Sequence, residues 1–236
     1  MDPPANPVDS APRRRGRPPK MSRAEIIDAA LAVGFRDLTV VAVADHLNVR
    51  HTSLYTHISG YDDLCAAALQ QVFDDVTWPD QTGGWRAYLW ADAMTVWEQF
   101  ARHPGMGAVL RKTRAFPEGV RTHFAAGLNH LVGCGFSEAN AVLTLDTLYH
   151  LASDSMSHAD PDGPTSTDAG TPDAGPVDAR PPDAEQWVRH LDSPLAGSVQ
   201  RVFDQTPLER FTAKLELLLD GAELRLQGAN GDQNRR

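Results

Sequence analysis

Residues 38–64, LTVVAVADHLNVRHTSLYTHISGYDDL, constrain the fold more than any other stretch of this chain. Leu38 is apolar, and Thr39 suits a helix N-cap because its hydroxyl accepts a free backbone N–H of the first turn. Val43, Ala44 and Leu47 fall on one face at helical spacing, which predicts a compact helix over 40–47. Asn48 tolerates the left-handed backbone that ends many helices, and Val49 is apolar again. A second helix is predicted from residue 50, with Leu54 and Ile58 facing inward. It carries His51, Thr52, Ser53, Tyr55, Thr56 and His57. Two helices joined by a turn of about three or four residues, the second polar outside and apolar within, have the geometry that lays one helix in a DNA major groove.

The pattern Leu38-Thr39, Val43-Ala44, Leu47-Asn48-Val49, Ser53-Leu54-Tyr55, His57-Ile58 and Leu64 resembles the DNA-binding signature of the tetracycline-repressor (TetR) family. The likeness covers residues 22–72 at the level of motif and is architectural beyond them. It implies an all-α dimer with an N-terminal three-helix helix-turn-helix head that binds DNA. A larger C-terminal helical body then binds ligand and dimerises, and the fourth helix relays ligand state between the two. The resemblance also implies that Tyr55 and His57 contact phosphates and that Thr39 caps its helix toward one. Two positions depart from the family pattern. Asn48 stands where Gly is common, and Tyr61 stands where Lys usually contacts a phosphate, although a tyrosine hydroxyl can still donate to one. From chemistry alone, Arg50 can pair with guanine and His51 and Ser53 can reach base edges, with Thr52 and Thr56 exposed beside them.

A net charge of −9 over 236 residues looks unsuited to DNA, but the charge is unevenly spread. Arg13, Arg14, Arg15, Arg17, Lys20 and Arg23 cluster without an acid among them, whereas much of the acid lies in the C-terminal half. Residues 1–21 are Pro-rich and lack periodicity, so they are expected to form a disordered basic arm. Within it, Arg15-Gly16-Arg17-Pro18 resembles an AT-hook core that lies in a narrow minor groove. A basic tail that only adds phosphate attraction, or a nuclear localisation signal, are the other readings. No secretory signal is read in the arm, and no apolar run reaches the ~18 residues of a membrane span. Cys65 and Cys134 show neither metal spacing nor a disulfide framework, and a cytoplasmic location is expected.

Ser22-Arg23-Ala24-Glu25 reads as a capping box opening a first helix to about residue 36, and a fourth helix is expected over 61–77. The body is expected over 73–228. Residues 85–102 form a long aromatic helix in which Trp90, Met94 and Trp97 share a face. Further helices are expected near 106–111, 117–134 and 137–157. Residues 159–184, an Asp-, Pro- and Gly-rich stretch with Asp-Ala repeated every five residues, read as a mobile loop. By resemblance, the loop lies near the partner's pocket. Short helical pieces at 185–191 and 195–203 precede a last helix from Pro207, with 229–236 as a flexible tail. The helices at 137–157 and 207–226 are expected to pair with their copies in a four-helix homodimer interface.

Trp90, Met94, Trp97, Met106, Leu110, Phe124, Leu128, Leu145 and Tyr149 are candidate walls of a ligand cavity. His123, Asn129, Asp146 and His150 are the polar groups that can orient a ligand there. Asp146 and His150 are four apart, so they can meet as a ligand-binding, interface or structural pair. No cofactor is expected, and no spacing demands a metal. The expected partners are a double-stranded palindromic operator and a small hydrophobic effector, with a lean toward a polycyclic one. The chain lacks a Gly-rich phosphate loop, a nucleophile elbow and a His-Glu-x-x-His signature, so an enzyme is not expected. The reading is a ligand-released repressor; the alternative is an architectural DNA-binding protein without ligand control.

Overall fold

A computed structural model describes residues 21–113, 116–157 and 194–233. Ten α-helices and no strand occur among them: α1 (Arg23–Val33), α2 (Val40–His46), α3 (His51–Leu54), α4 (Tyr61–Asp74), α5 (Trp85–Arg102), α6 (Met106–Thr113), α7 (Glu118–Gly133), α8 (Glu138–Ser157), α9 (Ala196–Phe203) and α10 (Pro207–Gln233). The basic arm, the Asp/Pro-rich loop at 159–184 and the piece expected at 185–191 lie outside the described residues.

Local chemistry sets most helix ends. Ser22 and Glu25 form the expected reciprocal capping box of α1, but the helix stops at Val33. Gly34 follows in a left-handed region (φ 83°), which leaves Phe35 free to turn back into the core. Thr206 and Glu209 cap α10 in the same reciprocal way, a signal not read from the sequence. The helix after the turn is shorter than expected. It ends at Leu54, and the chain tightens through residues 55–57, where the His57 N–H donates to the Leu54 carbonyl at 2.8 Å. Helix α4 stops at Asp74 rather than near 77, and α10 continues to Gln233, past the expected tail boundary.

Helices α1–α4 close a small apolar head around Ile26, Val43, Ala44, Leu54, Ile58 and Leu64, all buried. In the body, α8 packs against α5, α7 and α10, and α6 lies between α4 and α8. Arg86 at the start of α5 meets Glu216 and Asp220 at 2.7 Å and Glu223 at 3.4 Å, tying α5 to one face of α10. Head and body also touch at the turn after α5. Gly105 (φ 85°) lies so close to the head that a Cβ there would sit 2.7 Å from the Arg36 nitrogen. The Phe35 and His103 rings meet edge-on beside it at 6.1 Å.

Candidate DNA-binding surface and interior cavity

The turn between α2 and α3 is a complete helix-ending motif. The Val49 N–H donates to the Ala44 carbonyl and the Asn48 N–H to the Asp45 carbonyl, each at 3.0 Å. This pairing needs a left-handed residue between helix and exit, and Asn48 has φ 54°. Thr39 caps α2 as read, accepting the Ala42 N–H at 3.0 Å. Leu54 and Ile58 are buried, so the opposite face of α3 points outward. Arg50, His51, Thr52, Ser53, Tyr55 and Thr56 are exposed, and His57 is half-buried. The Tyr55 ring does not pack into the core: 53% of the residue is accessible. The Thr56 hydroxyl donates to the Ser53 carbonyl at 2.8 Å.

Two other charged or polar side chains are held by partners within the protein instead. Arg23 donates to the His57 carbonyl at 2.7 Å and grips Asp63 through both guanidinium nitrogens, at 2.6 and 3.0 Å. It buckles the end of α3 to the start of α4. Tyr61 is half-buried, its ring under the Lys112 ammonium at 5.2 Å and its hydroxyl engaged with Cys65. Burial raises its pKa. It faces the body, apart from the exposed side chains of α3. Arg13, Arg14, Arg15, Arg17 and Lys20 lie outside the described residues.

The body holds a cavity of about 460 Å³, within the usual range for small-molecule sites. Of the residues read as ligand contacts, Leu110, Phe124, Asp146, Tyr149 and His150 line it. The Phe124 and Tyr149 rings meet at 5.7 Å. Asp146 and His150 do pair, at 3.4 Å, and His150 Nδ1 also donates to the Asp146 carbonyl at 2.8 Å. Both are exposed at the mouth. Trp90, Met94, Trp97 and Met106 do not line the cavity. Met106 is buried in the core, and Trp97 stacks on Phe211 of α10 at 6.1 Å. His123 lies instead at an open cleft of about 600 Å³ between the end of α4 and the start of α7.

His123 belongs to a buried polar cluster that the sequence reading missed. Its Nε2 bonds Asp92 Oδ1 at 2.7 Å, and the Tyr88 hydroxyl lies 3.5 Å away. Asp92 is wholly buried, and the buried Tyr149 hydroxyl faces it as well. Burial first, and then the Asp92 charge, raise the pKa of both Tyr88 and Tyr149, so both phenols stay protonated. The available signal was position. Asp92 falls four residues after Tyr88 and four before Val96, within the most buried stripe of α5.

Known proteins give two kinds of likeness. The chain is 32% identical over 132 residues to an HTH-type transcriptional regulator of Saccharopolyspora erythraea, covering 52% of this chain and 55% of that protein. It is 37% identical over 76 residues to an uncharacterized HTH-type transcriptional regulator of Mycobacterium tuberculosis, covering 30% and 35%. The match thus spans about half, or less, of these curated relatives. Among solved structures, apo ActR of Streptomyces coelicolor superposes with a TM-score of 0.67 at 16% identity, over 87% of this chain and 98% of ActR. ActR in complex with actinorhodin gives 0.65 at 18% identity, over 89% and 98%. A possible TetR family transcriptional regulator of the same organism gives 0.66 at 20%, over 86% and 99%. No family model matches the chain. The chain therefore has the fold of these TetR structures, with an N-terminal helix-turn-helix head on a larger all-helical body.

Proposed function

We propose that this chain is a homodimeric transcriptional regulator that binds a palindromic operator and is released by a small hydrophobic effector. The observation that carries the DNA reading is the outward face of α3. Arg50 through Ser53, with Tyr55 and Thr56, stand exposed over a buried Leu54, behind a fully formed left-handed turn. Arg50 has the fork that reads guanine, and Tyr55, His57 and the arm residues Arg13, Arg14, Arg15, Arg17 and Lys20 suit the phosphate backbone. Dimerisation is supported by apolar residues left outside on two adjacent helices, Val142 and Leu143 on α8 and Leu217 and Leu224 on α10. The cavity supports the effector, as does the solution of ActR with actinorhodin and with (S)-DNPA.

Selection of bound sequences from a random duplex pool, with the full chain and with a chain lacking residues 1–20, tests the reading. A palindrome shared by both pools is expected. Enrichment in A·T tracts alone, and only when the arm is present, would transfer the conclusion to an architectural DNA-binding role. On the recovered site, Arg50→Ala should relax the preference at one base position, at a cost of about 1–3 kcal/mol, while Tyr55→Phe should weaken all sequences alike. Competition with mutated half-sites distinguishes the two effects.

A further inference from the structure

The cavity and the open cleft share two wall residues, Phe73 and Trp78. Phe73 is in the last turn of α4, and Trp78 lies in the segment that joins α4 to α5. The Trp78 indole lies nearly parallel to two other rings. Its plane lies 15° from the His123 imidazole with centroids 4.0 Å apart, and 4° from the Phe73 ring at 6.3 Å. On the far side, His123 is fixed by the buried Asp92. A flat aromatic side chain is therefore stacked on His123 where it forms part of the wall of both the surface cleft and the cavity.

From this arrangement we infer that cavity and cleft are two chambers of one effector site divided by Trp78, and that a planar fused-ring aromatic ligand enters by taking the place of its indole on the His123 ring. This deepens the effector reading above and rests on it. The site selects flat rings because His123 offers the π-face on which the indole now stacks, with the Phe73 ring nearly parallel to it. Beyond Trp78, the cavity offers the aromatic side chains of Phe100, Phe124 and Tyr149. No helix holds Trp78: it stands outside regular structure on a half-buried segment, so moving it breaks no helical hydrogen bond. Its displacement disturbs the stack at the end of α4, the helix that carries the head.

The test uses the full chain and 1-aminoanthracene, a three-ring aromatic amine whose fluorescence rises in apolar surroundings. Association is followed by stopped flow for the wild type, Trp78→Ala and Trp78→Phe, each checked for folding by circular dichroism. A side chain that must move before entry slows association, so Trp78→Ala should bind at least about tenfold faster, with Trp78→Phe between. In the wild type, binding should also shift a tryptophan emission component that Trp78→Phe lacks. Equal association rates in all three proteins, or a complex with the indole still stacked on His123, would overturn the partition. A failure of the effector reading looks different: the probe binds, faster to Trp78→Ala, yet leaves the protein on its selected DNA site. If none of the three proteins binds the probe, both readings fall together.

Discussion

Arg23 and Asp63 hold the end of α3 against the start of α4, and their grip depends on an ionised carboxylate. The Arg23 guanidinium, then the Ser59 backbone N–H, hold the Asp63 pKa down at about 2. A carboxylate whose pKa is lowered by folding adds stability above its ordinary value of about 3.9 and loses it as pH falls toward 2. Asp63→Asn should therefore cost about 1 kcal/mol at neutral pH, a modest figure because water screens the half-exposed Arg23. The variant should also lose less stability than the wild type below about pH 4. Urea denaturation at pH 7, 5 and 3 checks this, and parallel pH profiles would refute it. Residues whose partners are near in sequence were legible in advance: Thr39 caps three residues on, and Asn48 turns its own helix end. Arg23 was not, because it reads as one more charge of a basic cluster until the fold brings Asp63, forty residues away, beside it. Asp92 was hidden for the same reason, since its partner His123 lies 31 residues downstream.

At the scale of elements, helical spacing says which side chains share a face but not what that face meets. In α5, Trp90, Met94 and Trp97 form a regular aromatic stripe, yet the buried stripe is Tyr88, Asp92 and Val96 with Phe100. The larger side chains suggested the wrong side because packing follows neighbouring helices, here α8 and α10, rather than side-chain size. The junction of head and body offers a sharper test. Gly84 and Gly105 share φ 85°, so alanine at either meets backbone strain at positive φ. A Cβ at Gly84 meets nothing within 4 Å, whereas one at Gly105 strikes the Arg36 backbone at 2.7 and 2.9 Å. Gly105→Ala should thus destabilise the protein by about 1–2 kcal/mol more than Gly84→Ala. Chemical denaturation of the two variants measures the difference. Equal losses would mean that the head yields freely at this contact.

Across the whole molecule, the all-α class, the three-helix head and the helical body were legible from motif and periodicity. The shared wall of cleft and cavity was not, because it depends on where a linker residue, Trp78, comes to rest. The outer surface carries its own test. Leu217 and Leu224 are 74% and 70% exposed on α10, opposite its buried Phe211, Leu215 and Leu219. In the proposed dimer they are covered. Leu217→Glu with Leu224→Glu should convert a dimer into a folded monomer in sedimentation velocity, with helical content retained. A wild-type chain that sediments as a monomer at micromolar concentration would remove the dimer.

Helix α4 is held at both ends. Near its C-terminus, Gln70 accepts the Glu118 N–H at 3.0 Å, and Phe73 stacks on Trp78; at its N-terminal end, Arg23 grips Asp63. Its 14 residues make it about 21 Å long. A beam of that length converts small rotations into useful displacements. A tilt of about 10° about the Phe73 end carries the other end through about 3.6 Å, close to the 3.4 Å rise of one DNA base pair. In the proposed dimer, opposed tilts of the two heads would change their separation by twice as much. Deforming a duplex to follow costs energy, so a side-chain-sized event at one end of the helix would weaken the register at the other.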